Sequence, residues 1–206
     1  MTKIDYKKDL KHLYLPTAKE FTYVDVPRMN FLIVDCHGDP NRSPDFQTVT
    51  ETLYAMSYTL KFMLKIEGAD YVVAPLEGLW WMEDMAEFNL QSKDRWEWTL
   101  LMMQPEMVTQ GHIERALVEV TRKRNLPGLP RLRFEPFHEG LAVQIMYFGA
   151  YADEGPTIAR MHSFIRESSH EPNGKHHEIY LGDPRRTVPA KLKTVIRQPV
   201  KKVKLG

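Results

Sequence analysis

Apolar and polar positions along this chain switch between two periods, and the switches mark the elements. Met29 to Cys36 (MNFLIVDC) is an apolar, β-branched run that stops at a turn, which predicts a strand. His37-Gly38-Asp39-Pro40-Asn41 is that turn, because Gly and Asn tolerate positive φ and Pro fixes its own. Ser43-Pro44 predicts a helix start, with Ser43 as N-cap and Pro44 at the first helical position. Phe46, Val49, Leu53, Leu60 and Leu64 then recur at helical spacing, with Met56 and Met63 beside them, until Glu67-Gly68 supplies a stop. Tyr71 to Pro75 (YVVAP) reads as the next strand and Met82 to Leu90 as a short helical or looped connection. Arg95 to Met103 (RWEWTLLMM) reads as a strand closed by Gln104-Pro105, since Pro cannot donate to a ladder. Thr109 caps a second helix whose apolar stripe is Ile113, Leu117 and Val120.

The N-terminal stretch is mixed and charged, with a short helix over Asp5 to Leu13 and an extended piece over Phe21 to Val26. The Pro/Gly-rich stretch Asn125 to Pro130 reads as a joint between two halves. Beyond it the pattern gives strands at Arg133 to Phe137 and Leu141 to Phe148, and a helix opened by Pro156 that carries Ile158, Met161, Phe164 and Ile165. Ser168 to Gly174 reads as a polar turn, and strands at His176 to Leu181 and Lys193 to Arg197 close the chain.

The two halves read alike. A strand, a Gly turn and a Pro-started helix occur at Phe31, Gly38 and Pro44, and again at Val143, Gly149 and Pro156. Both closing strands end in Gln-Pro, so equivalent points lie roughly 95–110 residues apart. The expected fold class is α+β. It is a tandem pseudo-twofold repeat of strand-helix-strand-strand units, with antiparallel sheets, helices on one face and a ligand cleft between the halves. The expected organisation is one domain over 1–206, divided into an N-terminal segment 1–25, a first repeat 26–126 and a second repeat 127–206.

Composition narrows the function classes. With 28 Lys and Arg against 27 Asp and Glu, no general attraction to nucleic acid or to a membrane surface is expected. The basic tail Lys201-Lys202-Val203-Lys204 reads as a solvated end. One cysteine excludes an intrachain disulfide, and Cys36 lacks the surroundings of a thiol nucleophile. There is no apolar leader and no apolar run near the roughly 20 residues that span a bilayer, so a cytoplasmic location is expected. No metal site is expected, since His170, His176 and His177 lack zinc-ligand spacing, and no phosphate loop accompanies Gly38. The reading needs no cofactor.

Candidate chemistry centres on Glu178. It stands in the apolar strand HHEIYL, where a carboxylate is costly unless paired, hydrated or protonated. It suits a counter-charge to a cation or a general base toward water; alternatively the strand turns Ile179 inward and Glu178 faces solvent. Tyr180 falls on the same face two residues on. Glu77 is a second carboxylate at a strand end, where it can also serve as a turn residue. Trp80 and Trp81 are adjacent, so at most one faces a pocket in extended geometry. Tyr54, Tyr58 and Lys61 share one face of the first helix, looking into a cavity or lying at a solvent edge. Tyr147, Phe148 and Tyr151 flank the second-half Gly turn and are candidates to complete an aromatic cage.

These stretches together resemble the GyrI-like small-molecule-binding family. The resemblance is carried by FLIVDCHGDPN, FQTVTETLYAMSYTLKF, YVVAPLEGLWW, LAVQIMYFGAY and HEIYLGDP with TVIRQPV, and covers nearly all of the chain beyond residue 25. It implies two fused units around a central cavity, and a glutamate among aromatics in the segment matched by Glu178. Relatives of this kind serve as ligand-binding domains of multidrug-responsive activators; this chain, without a helix-turn-helix domain, resembles the stand-alone branch. One subset, with a PLEGLWW-type segment, includes hydrolases that open the cyclopropane of DNA-alkylating compounds. The resemblance therefore implies a lipophilic, flat or cationic small molecule as partner, no nucleic acid and no membrane, and a monomer or homodimer. The expected activity is binding of xenobiotics or metabolites, with hydrolysis of a strained ring by Glu178 and Tyr180 as the catalytic form. The alternatives are a pure binding module and a protein-interaction role of the topoisomerase-inhibitor kind.

Overall fold

In the computed structural model, which describes residues 3–83 and 93–203, the two long apolar stripes form helices where the sequence places them. The chain divides into two compact units, Met1–Asp9 with Met29–Phe137, and Leu10–Arg28 with His138–Gly206. Among the described residues no helix is long and apolar enough to cross a membrane.

The first unit holds strands β2 (Met29–His37), β3 (Leu76–Trp81), β4 (Glu97–Gln104) and β5 (Arg133–Phe137), paired antiparallel in the order β3-β4-β2-β5. Its helices are α1 (Tyr6–Asp9), α3 (Asp45–Ile66) and α4 (Gln110–Lys123). The second unit holds α2 (Lys11–Tyr14), β1 (Thr22–Val26), β6 (Gly140–Phe148), α5 (Gly155–Glu167), β7 (His170–Pro172), β8 (His176–Tyr180) and β9 (Lys193–Lys202). Its strands run β1-β6-β9-β8, again antiparallel, with β7 on the far end of β9.

The two orders correspond strand for strand, as the repeat requires. One feature was not legible in the sequence. The strand that leads into the strand–turn–helix run of each half pairs with the first strand of the other half's run: β1 lies on β6, and β5 lies on β2. Arg133–Phe137 therefore completes the first unit, and Thr22–Val26 completes the second.

In the first unit α3 covers one sheet face. Val49, Leu53, Met56 and Leu60 are fully buried there, each contributing about 1.5–3 kcal/mol of burial. The other face carries Phe31, Ile33, Leu79, Leu101 and Met103, with Trp81 partly buried beside them. In the second unit α5 covers Val143, Ile145, Ile196 and Val200 through Met161 and Ile165. The opposite face carries a buried ionic cluster. Arg197 donates to Glu139 at 3.0 Å, to Gln144 at 3.1 Å and to the Leu13 carbonyl at 2.6 Å, while His177 Nδ1 lies 2.9 Å from Glu139. These two cations hold the Glu139 carboxyl down at about 2, against the opposing effect of burial.

Several local expectations are corrected. The strand expected at Tyr71 to Pro75 begins instead at Leu76. Val72 N–H is already committed to the Ile4 carbonyl at 2.8 Å, the Lys61 ammonium takes the Tyr71 carbonyl at 2.6 Å, and Pro75 has no N–H to give a ladder. Helix α3 starts at Asp45 with Pro44 as N-cap, while Ser43 Oγ still accepts the Asp45 N–H at 3.2 Å. The N-terminal helix divides into α1 and α2 on either side of Leu10. The expected polar turn contains β7, and β9 runs on past Pro199, whose carbonyl accepts from Asn173 N–H at 2.8 Å. The connection expected over Met82 to Leu90 falls mostly on residues 84–92, outside the described residues, as does Lys204 of the basic tail. Thr109 caps α4 as expected, in a box closed by His112.

Candidate functional site

Glu178 reaches its position because β8 pairs with β9 in a register that sets it opposite Ile196, and Tyr180 opposite Thr194. Paired residues of antiparallel strands share a face, so both project to the α5 side of the sheet. The Tyr180 hydroxyl donates to Glu178 Oε2 at 2.8 Å. The Tyr151 ring stands edge-on to the Tyr180 ring at 5.2 Å. His176 lies on the other side of the carboxylate, its Nε2 3.4 Å from Glu178 Oε1 but out of line for a hydrogen bond. The Glu178 side chain keeps 15% of its surface exposed, so solvent or a ligand can reach it. Ile179 turns to the opposite face and is fully buried.

Tyr147, on β6 opposite Thr194, closes the same end of the unit. Its hydroxyl donates to the Ala150 carbonyl at 3.3 Å, and burial together with the charges of Glu154 and Asp153 raises its pKa. Gly149 is required beneath it: φ is +151°, and a Cβ there would lie 2.4 Å from the Tyr147 hydroxyl. Phe148 points away and is half exposed, with the Lys193 ammonium 5.4 Å over its ring.

Glu154 was not singled out by the sequence reading. It heads α5, where Ser, Thr, Asp or Asn is preferred, yet its side chain makes no capping bond. It turns inward and is 2% exposed, and its buried Oε1 has no hydrogen-bond partner among the described residues. Burial and the Glu178 charge push it up to about 9. A glutamate at a Gly-Pro helix start was the signal available in the sequence, and it is a faint one.

The remaining candidates lie in the first unit. Glu77 is not at a turn; it sits inside β3 opposite Leu101 and is 1% exposed. It shares the face turned away from α3 with Leu79 and Trp81. Trp80 takes the opposite face, stacked on Trp98 at 6.0 Å and edge-on to Trp96 at 5.8 Å. Trp98 in turn meets Phe46 of α3 at 5.8 Å, so Trp80 belongs to the helix-side core. On α3, Tyr54 stacks with Tyr58 and Tyr58 with Phe62, each pair at 6.3 Å, and Tyr58 is 46% exposed. Lys61 leaves this row and is buried, bonded to Asp70 and to the Tyr71 carbonyl. Within the first unit Glu77 and Trp81 share a face of β3 four residues apart, and Tyr54 stacks on Tyr58; within the second, Glu178, Tyr180 and Tyr151 come together, with Tyr147 on the same sheet face.

The histidines are spent separately: His177 on Glu139, His176 beside Glu178, and His170 on Tyr23 and the Ser168 carbonyl. Cys36 is buried, its thiol pushed up to about 11 by burial.

The sequence model of the GyrI-like small molecule binding domain matches residues 19–201. The chain belongs to this family. It is 40% identical to an uncharacterized conserved protein from Listeria innocua whose crystal structure superposes with a TM-score of 0.89, covering 97% of this chain and 100% of that one. Two crystal structures of hydrolases from Listeria innocua also match, at 38% and 37% identity and TM-scores of 0.86 and 0.83, each covering 97% of this chain and 100% of the other. No curated protein matches the chain. The GyrI-like assignment agrees with the α+β fold and its antiparallel sheets, and makes small-molecule binding the function at the family level.

Proposed function

We propose that this GyrI-like protein binds lipophilic small molecules and hydrolyses them at Glu178 without a cofactor. The observation that carries the reading is the hydrogen bond from Tyr180 to Glu178 Oε2. It fixes one carboxylate oxygen and leaves Oε1 to take a proton from water. Tyr151 and Tyr147 supply flat apolar walls beside it. The likeness to two hydrolases at 37–38% identity over whole chains supports turnover rather than binding alone.

The substrate class proposed first is a cyclopropane fused to a conjugated carbonyl, as in DNA-alkylating compounds, following the resemblance to the ring-opening subset. The balance is simple. Glu178 takes a proton from water, and the water oxygen bonds to the ring methylene. The strained C–C bond breaks toward the conjugated ring, and the carbonyl oxygen, now a phenolate, takes the proton back. One water is added and no electron acceptor is needed.

Incubation of the purified protein with a duocarmycin-type alkylator, followed by mass spectrometry, tests this. A water adduct formed faster than in buffer supports hydrolysis. Unchanged compound with quenched tryptophan fluorescence supports a binding module instead, and neither signal would exclude this ligand class.

A further inference from the structure

His176 lies buried beside Glu178 and takes no part in the step proposed above. It precedes Glu178 by two residues on β8 and so shares its α5-side face. Its side chain is 3% exposed, yet neither ring nitrogen has a hydrogen-bond partner among the described residues. Nε2 is aimed into the site, 3.4 Å from Glu178 Oε1 but out of line for a direct hydrogen bond. The same need recurs around it. His162 Nε2 on α5, and Thr194 Oγ1 and Gln198 Oε1 on β9, are buried atoms without partners among the described residues. Thr194 stands opposite Tyr180, and Gln198 opposite Val143 of the core beneath α5, so both belong to the face that carries Glu178. Buried polar atoms are nearly always hydrogen-bonded, and those that the protein leaves unmet are met by ordered water or by a ligand.

We propose that His176 and Glu178 together hold one water, the attacking one: His176 Nε2–H donates to the water oxygen, and the water donates to Glu178 Oε1. The inference rests on the Glu178 site proposed above. Such a bridge serves a donor and an acceptor that are close but misaligned. Tyr180 already holds Oε2, so the carboxylate is fixed at both oxygens. The water keeps a lone pair for the electrophilic carbon. As Glu178 takes the proton, negative charge gathers on the water oxygen and strengthens the hydrogen bond from His176. His176 itself gains and loses no proton in the step.

The test begins with crystal structures of the ligand-free protein at high resolution. The wild type should show a water within about 3.2 Å of both His176 Nε2 and Glu178 Oε1. His176→Gln, which keeps an N–H donor near that position, should retain the water, and His176→Phe should lose it. The urea midpoint of His176→Phe should not fall, because no hydrogen bond within the protein is removed. With a duocarmycin-type probe, His176→Phe should lower kcat roughly ten- to hundredfold with KM unchanged, and His176→Gln should recover most of the loss. A wild type without this water, a water retained in His176→Phe, or wild-type turnover in His176→Phe overturns the proposal. Should His176→Phe fail to fold, the wild-type and His176→Gln crystals decide alone. The water is read without substrate, so the two readings fail separately. A water bound in this way, with no hydrolysis by the wild type, leaves the water site standing and removes the reaction; hydrolysis without that water does the reverse.

Discussion

The Tyr180 hydroxyl donates a hydrogen bond to Glu178 Oε2 at 2.8 Å, two residues back along β8, with both side chains on the α5 face. A hydrogen bond to a charged acceptor is worth about 1.5–3 kcal/mol. Tyr180→Phe should therefore lower turnover roughly ten- to hundredfold while leaving the fold intact. Steady-state kinetics beside a urea titration checks both. Full activity in Tyr180→Phe would remove the orienting role.

The Glu139–Arg197–His177 cluster predicts a large stability effect. Removing the charge of Glu139 leaves Arg197 buried without its ionic partner, so Glu139→Gln should cost about 3–5 kcal/mol by urea unfolding at pH 7. The sign of the pH dependence follows. Glu139 titrates lower in the folded protein, at about 2 against the ordinary 4.5, so its contribution is present above 4.5 and lost as pH falls toward 2. The acid limb of the wild-type stability profile should shrink in Glu139→Gln.

Glu154 works in the opposite direction. Its folded pKa is raised from 4.5 to about 9, so its contribution is full below 4.5 and is lost as pH climbs through this window. Urea midpoints should fall from pH 5 to pH 9 in the wild type, and fall less in Glu154→Gln. Parallel profiles for the two proteins would contradict the assignment.

Adjacent tryptophans should differ sharply. Trp80 is buried in a stack with Trp98 and against Trp96, and Trp80→Ala should cost about 3–5 kcal/mol. Trp81 is only half buried on the other face, and Trp81→Ala should cost clearly less. Thermal unfolding of both variants distinguishes them.

Much of this was legible in the chain. Phe46, Val49, Leu53 and Leu60 gave α3, Thr109 gave the α4 cap, and the paired Gly turns gave the repeat. Glu178 and Tyr180 were placed together by period-two alternation, which needs no tertiary information. What stayed hidden depends on partners far along the chain. Nothing local tells β5 to pair with Met29–His37, or β1 with Gly140–Phe148. Tyr71 and Val72 look like strand residues, but Lys61 and Ile4 claim their backbone groups. Lys61 shares a helical face with Tyr58 by count, yet Asp70 draws its ammonium inward. Glu154 carries no motif, and only the fold buries it at the head of α5, where the Glu178 charge raises its pKa.

The central claim is that Glu178 activates water. The direct measurement is the rate of water-adduct formation from a duocarmycin-type substrate by wild type and Glu178→Gln, in oxygen-18 water, with tryptophan quenching to confirm that both bind. General-base catalysis typically contributes about 10²–10⁴-fold. The account predicts a loss of that order in Glu178→Gln, with binding retained and the label in the wild-type product. Labelled product formed at the wild-type rate by Glu178→Gln would contradict it.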